Sequence, residues 1–257
     1  RLFIPARIHP SFTGGESESE SYAPSGYSPN RSKLIAGLIA IALALGVKAF
    51  YSNAGATQLL WILAPSAWLA RAAGGIDLVW EPGAGYISHA YHMVVGASCA
   101  GINFLVIAFL TLYFSFARHF SSRMRWLASS AAIAFLAAIA ANGLRIVVSA
   151  HLWNADIYGG WITPGGMHRL AGVVIYYASL LGLYLAVAAR AGVAAPKLAP
   201  LAWYIGVSLG VPMAGRLLAG GGPGFTEHAL WVGGIALALT ALMFLPSVWR
   251  NRLCWRP

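Results

Sequence analysis

Apolar stretches long enough to cross a bilayer recur along this chain. A helix needs about 20 apolar residues to cross roughly 30 Å of hydrocarbon, and several runs reach that length. Hydrophobic residues make up 59% of the 257 and charged residues only 9%, against roughly 25% charge in a soluble domain. Such a chain cannot cover itself with polar surface, so the bilayer must be its solvent. The expected fold class is all-α: a polytopic integral membrane helix bundle of about seven spans, with no room for a second folded unit.

Turn residues and charges divide the chain. Residues 1–33 are expected to form a flexible polar tail. The tract Gly14–Ser21 with its three glutamates, then Ala23-Pro24-Ser25-Gly26, buries too little apolar area to offset ordering. Residues 34–250 form the transmembrane domain, and 251–257 a basic cytoplasmic tail. The spans are expected near Leu34–Tyr51, Thr57–Ala73, Cys99–Phe116, Trp126–Trp153, His168–Ala189, Leu198–Ala219 and Glu227–Val248. Pro65 should kink the second. Between the second and third, Asp77, Glu81, Pro82, Gly83, Gly85, His89 and His92 interrupt the apolar residues. That stretch, 74–95, reads as a partly extended outer segment over the mouth of the bundle.

The net charge is +10. In a membrane protein basic loops report orientation, and no basic polar segment interleaved with aromatics is present, so nucleic acid is not an expected partner. Arg118, Arg123 and Arg125, then Arg190 and Lys197, then Arg250, Arg252 and Arg256 fall on alternate span ends and share one side, the cytoplasm. Asp77, Glu81, Asp156 and Glu227 fall on the other. One conflict stands: seven spans with the C-terminus inside put Arg31 and Lys33 outside. Either the first two spans are misread or the true N-terminus lies upstream of Arg1.

Cys99 and Cys254 are expected on opposite sides, where they cannot form a disulfide. Cys254, among Arg252, Trp255 and Arg256, is incidental or a lipidation site. His89 and His92, three apart, would share a helical face, but a metal needs more ligands and no His-Glu-x-x-His is present. No cofactor is expected. Gly220–Gly224 lacks the Lys-Ser or Lys-Thr of a phosphate loop. Trp61, Trp126, Trp153, Trp231 and Trp249 fit an aromatic belt. No Asp or Glu lies in the middle of a span, where a proton-coupled transporter or intramembrane aspartyl protease would want one.

Three stretches carry chemistry: Ser98-Cys99-Ala100-Gly101-Ile102-Asn103, Asn142-Gly143-Leu144-Arg145-Ile146 and Met167-His168-Arg169-Leu170-Ala171-Gly172. Cys99 opens a span at the outer boundary. Arg145, about 19 residues after Trp126, is roughly 28 Å up from the inner face at the usual helix rise. His168 opens another span at that boundary. Three helices thus bring a thiol, a guanidinium and an imidazole to one depth. A helix start and a nearby arginine both favour thiolate. An arginine inside a span normally faces the bundle interior, and its fork can hold an oxyanion. A neutral His168 beside Arg169 would suit a general base. Blander roles compete: Cys99 as a small buried apolar residue, Arg145 snorkelling to the interface, His168 as an interfacial polar group, and Gly101 and Gly172 serving close helix packing.

These three stretches, in the order Cys, Arg, His, resemble the exosortase/archaeosortase family over about residues 74–190. The compact form, with few spans before the cysteine, is most similar to exosortase K. The resemblance implies a multi-pass cell inner-membrane cysteine protease and transpeptidase with its site on the periplasmic or extracellular side. Its partners would be substrate proteins carrying a C-terminal sorting signal and transmembrane helix. The family's catalytic residues fall on Cys99, Arg145 and His168. The shorter N-terminal half departs from the family pattern. The reading from another class is a non-catalytic membrane binding or transport protein in which Arg145 holds an anionic ligand.

Overall fold

A computed structural model describes residues 29–153, 155, 157–159, 163–194, 196, 198–219 and 229–242. The order of elements is α1 (Pro29–Asn53), α2 (Leu60–Gly74), β1 (Val79–Glu81), β2 (Gly85–Ser88), β3 (Met93–Val95), a 3-10 turn at Ala97–Cys99, α3 (Ile102–Phe116), a second such turn at Ala117–His119, α4 (Arg123–Trp153), α5 (Pro164–Ala191) and α6 (Ala199–Ala219). A seventh helix, α7, covers Ala229–Leu242. Of the expected flexible tail 1–33, residues 29–33 instead open α1; its remainder, both ends of the seventh expected span and the basic tail 251–257 with Cys254 lie outside the described residues.

Four stretches are long and apolar enough to cross a membrane: Arg31–Asn53, Ala97–His119, Arg123–Trp153 and Pro164–Ala191. Ala199–Gly210 and Ala229–Leu242 are shorter apolar helices. The expectation of seven full spans is therefore met by four among the described residues. The second expected span is the clearest departure. α2 has 15 residues and reaches only about 22 Å, short of the hydrocarbon thickness.

Side-chain contacts fix the directions of the helices. Gly37 faces Phe114, and Lys48 meets Asn103, so α1 and α3 run antiparallel. Gly101 meets Asn142 while Phe116 meets Trp126, so α3 and α4 do too. α2 runs with α4: Trp61 stacks on Phe135, Leu69 touches Gly143 and Gly74 touches Val147. α2 thus lies along the half of α4 that ends at Trp153. This removes the conflict over the N-terminus. With α1 antiparallel to α3 and α3 to α4, Arg31 and Lys33 come to the same end of the bundle as Arg118, Arg123 and Arg125. The opposite end carries Cys99, Arg145, His168 and the strands.

Local chemistry sets the helix ends. Thr163 caps α5, its hydroxyl accepting from the Gly166 amide at 3.1 Å, with Pro164 in the first turn. Gly192 ends α5 in the left-handed conformation, its N–H reaching Ala188 O and Ala189 O. The core between the helices is aromatic. Phe104, Phe116, Tyr177 and Tyr184 are fully buried, Phe116 packs on Tyr184, and Tyr177 reaches Thr240 at 2.5 Å to join α5 to α7. Trp126 departs from the aromatic belt: it is buried against Phe120 at 4.0 Å, and its indole N–H reaches Tyr113 O.

The outer segment adds a small sheet to the helical architecture, an antiparallel meander ordered β1-β2-β3. Gly85 is required there. Its φ is +119°, and a Cβ would lie 2.5 Å from the Val95 carbonyl oxygen. His89 and His92 do not share a helical face. They sit in the turn joining β2 to β3, where His92 takes φ +49° and His89 faces Glu81 at 3.9 Å.

Candidate active site

Cys99 ends the 3-10 turn that follows β3, held by its N–H to Gly96 O at 2.9 Å. It does not sit inside the first turn of α3, as the sequence suggests. Ala100 and Gly101 intervene, and Gly101 turns the chain into α3 at φ +73°. A Cβ there would come 3.2 Å from Asn142, so glycine allows both the turn and the close approach of α4. Asn142, with no exposure, donates through Nδ2 to the Cys99 carbonyl at 2.8 Å. The backbone of the thiol is therefore anchored to α4.

Arg145 lies one turn further along α4. Its Nη1 donates to Tyr176 Oη at 3.3 Å, and its Nη2 lies 2.7 Å from His168 Nε2. Tyr176 Oη in turn donates to Asn142 Oδ1 at 2.9 Å. A continuous polar chain thus runs from His168 through Arg145, Tyr176 and Asn142 to the Cys99 backbone. An arginine can only donate, so His168 accepts at Nε2 and, as a neutral ring, carries its proton on Nδ1. Its one lone pair is already in use, which qualifies the expectation of a ready general base. His168 also lies a full turn inside α5 and does not open it.

Gly172 makes room for the guanidinium. A Cβ on it would lie 3.1 Å from Arg145 Nε. That Nε is buried without a hydrogen-bond partner, and so is Ser149 Oγ, one turn along α4. Buried donors without partners are uncommon, and both belong to residues lining the same space. Cys99, Arg145, His168, His92 and Ser149 line one cavity of about 240 Å³, with Met93, Val94 and Val95 of β3 also in its wall. Cys99 is a free thiol, partly exposed. The three residues singled out in the sequence therefore meet on one cavity. Among the described residues no three His, Cys, Asp or Glu side chains group as metal ligands.

Arg145 also lines a second, larger cavity of about 590 Å³, with Lys48, Tyr51, Asn103, Arg169 and Gly172. Lys48 donates to Asn103 Oδ1 at 2.6 Å and lies 5.1 Å from the centre of the Tyr51 ring.

Sequence reasoning missed Tyr176, Lys48, Ser149 and the place of His92. Signals existed for two of them. Tyr176 continues the four-residue spacing of His168 and Gly172 along one helix face. Lys48 is a charge inside the first long apolar run, which by itself marks a site.

Compared with protein-family models, curated proteins and solved structures, the chain finds no match in any of the three.

Proposed function

We propose that this chain is a membrane-embedded cysteine peptidase and transpeptidase of the exosortase kind. It cleaves the C-terminal sorting signal of exported proteins at the outer membrane face through a thioester. The observation that carries this reading is the single cavity lined by Cys99, Arg145 and His168, with Arg145 and His168 2.7 Å apart. The bundle end opposite this cavity holds Arg31, Lys33, Arg118, Arg123 and Arg125. Such a basic end belongs in the cytoplasm, so the cavity faces outward.

In the reaction the Cys99 thiolate attacks the scissile carbonyl carbon. Arg145 receives the developing oxyanion with its donors, of which Nε is free of other partners. As the guanidinium turns to the oxyanion it releases His168 Nε2, which takes up the proton that the Cys99 thiol gives up on becoming thiolate. Collapse of the tetrahedral intermediate breaks the C–N bond, and the leaving amine takes that proton from His168. Cys99 now carries the acyl group as a thioester. His168, neutral again, removes a proton from an acceptor nucleophile or water. Attack on the thioester releases the product and restores the thiolate. The unpartnered Ser149 hydroxyl offers a further polar contact for the substrate chain.

The test is co-expression with a candidate substrate carrying a sorting signal. With Cys99→Ala the substrate should stay uncut while the variant inserts normally. Continued processing by the inserted variant would refute the assignment.

A binding or transport protein is the reading from another class, favoured by Arg145 also lining the larger cavity. There Cys99 is packing. An impermeant alkylator added from outside separates the two: a nucleophilic Cys99 reacts faster than an ordinary thiol at neutral pH, and a packed one does not.

A further inference from the structure

The larger cavity has one polar end and one apolar end. On α1 its lining runs from Lys48 back to Ile41, and on α3 from Asn103 on to Leu110. Each stretch rises seven steps, or about 10 Å. Because the two helices are antiparallel and Lys48 meets Asn103, both polar ends coincide. On α5 the same order holds, from Arg169 to Tyr176, and α5 runs with α3, since Phe104 stacks on Tyr176 and Phe116 packs on Tyr184. The deep part is walled by Leu45, Val106, Ile107, Leu110 and Val207.

Charge at the polar end is not balanced. No Asp or Glu lines the cavity among the described residues. Lys48 has an amide oxygen and a phenol ring as partners, and Arg145 has a neutral imidazole and a phenol. Two cations at membrane depth with only neutral partners are costly, and Arg145 Nε has no partner at all. The volume, about 590 Å³, falls within the roughly 300–1,000 Å³ of ligand sites.

We infer that this cavity binds an anionic phospholipid, its phosphate between Lys48 and Arg145 and a hydrocarbon chain along α1 and α3 toward Leu110. A phosphate monoester brings up to two negative charges and three acceptor oxygens, enough to engage Lys48, Arg145 and the Ser98 hydroxyl, which also lines the polar end. The site shares Arg145 with the chemistry proposed at Cys99 but is otherwise distinct, for Cys99, His168 and Ser149 line the smaller cavity.

The experiment uses the full chain in detergent and measures binding of dioctanoyl phosphatidic acid by calorimetry. Affinity should exceed that for dioctanoyl phosphatidylcholine and for inorganic phosphate by at least about tenfold. Lys48→Gln should weaken it by about tenfold or more, and Lys48→Arg should keep it within about threefold. Leu110→Trp, filling the deep end, should remove binding with the head group site intact. Equal affinity for phosphatidic acid and phosphatidylcholine, or no change in Lys48→Gln, would overturn the proposal. Inorganic phosphate binding as tightly as the lipid, or unchanged binding in Leu110→Trp, would overturn the lipid assignment and leave a small-anion site. Cys99→Ala should bind the lipid as the parent does, so failure here is distinct from failure of the peptidase reading.

Discussion

α4 is packed on two sides in opposite ways. Toward α2 the contact is dry and close. A Cβ on Gly143 would lie 2.8 Å from Leu69, and one on Gly74 2.7 Å from Val147. Here small residues let two backbones approach, as membrane helices do without a hydrophobic driving force. Toward α3 and α5, starting at the neighbouring Asn142, the same helix presents Arg145 and a chain of hydrogen bonds. One face therefore sets where α4 stands, and the other holds the chemistry. The close contact on one side leaves α4 little room to shift away from α3 and α5.

The sharpest way to break this division is to remove function without touching the fold. Cys99→Ala should lower processing by at least about a thousandfold, with thermal unfolding unchanged in detergent. A parallel drop in stability would mean that the thiol belongs to the packing. Arg145→Lys keeps the charge and loses the fork, and should cost about a hundredfold or more in rate. Full activity there would demote bidentate recognition. On the dry face, Gly143→Leu should destabilise by about 1–3 kcal/mol through overpacking, read as a lower unfolding temperature with Cys99 still reactive in the folded fraction. Asn142→Ala tests the seam between the faces. It leaves the Cys99 carbonyl without the Asn142 donor and the Tyr176 hydroxyl without its acceptor, and should cost about 1–3 kcal/mol, and slow alkylation of Cys99 as well. The smallest effect belongs to Tyr176→Phe, about 1 kcal/mol, with Arg145 still held by His168.

Much of the candidate site was legible because it obeys depth. Counting residues from Trp126 places Arg145 near the layer of Cys99, and the spans place His168 there too. What periodicity cannot reveal is which side chains meet within that layer. The contact of Arg145 with His168, and hence the occupied Nε2, depends on how α4 and α5 are rotated, and Gly172 is the residue that permits it. The misread second span has a simple cause. Leu60–Gly74 is apolar enough to resemble a crossing, yet it is short, and its glycine end serves a contact with α4. The partly extended character of 74–95 was legible, but not the sheet, because Pro82, Gly83 and Gly85 define turns and not pairing partners.

The meander hands the chain from Val95 to Cys99 through only Gly96, Ala97 and Ser98. Three residues stretch to about 10 Å at most, a tether with almost no slack. Anything that grips β3 therefore also holds the sulfur's own backbone. Strand and thiol are thereby coupled through the chain itself, at the end of the bundle opposite Arg118 and Arg123.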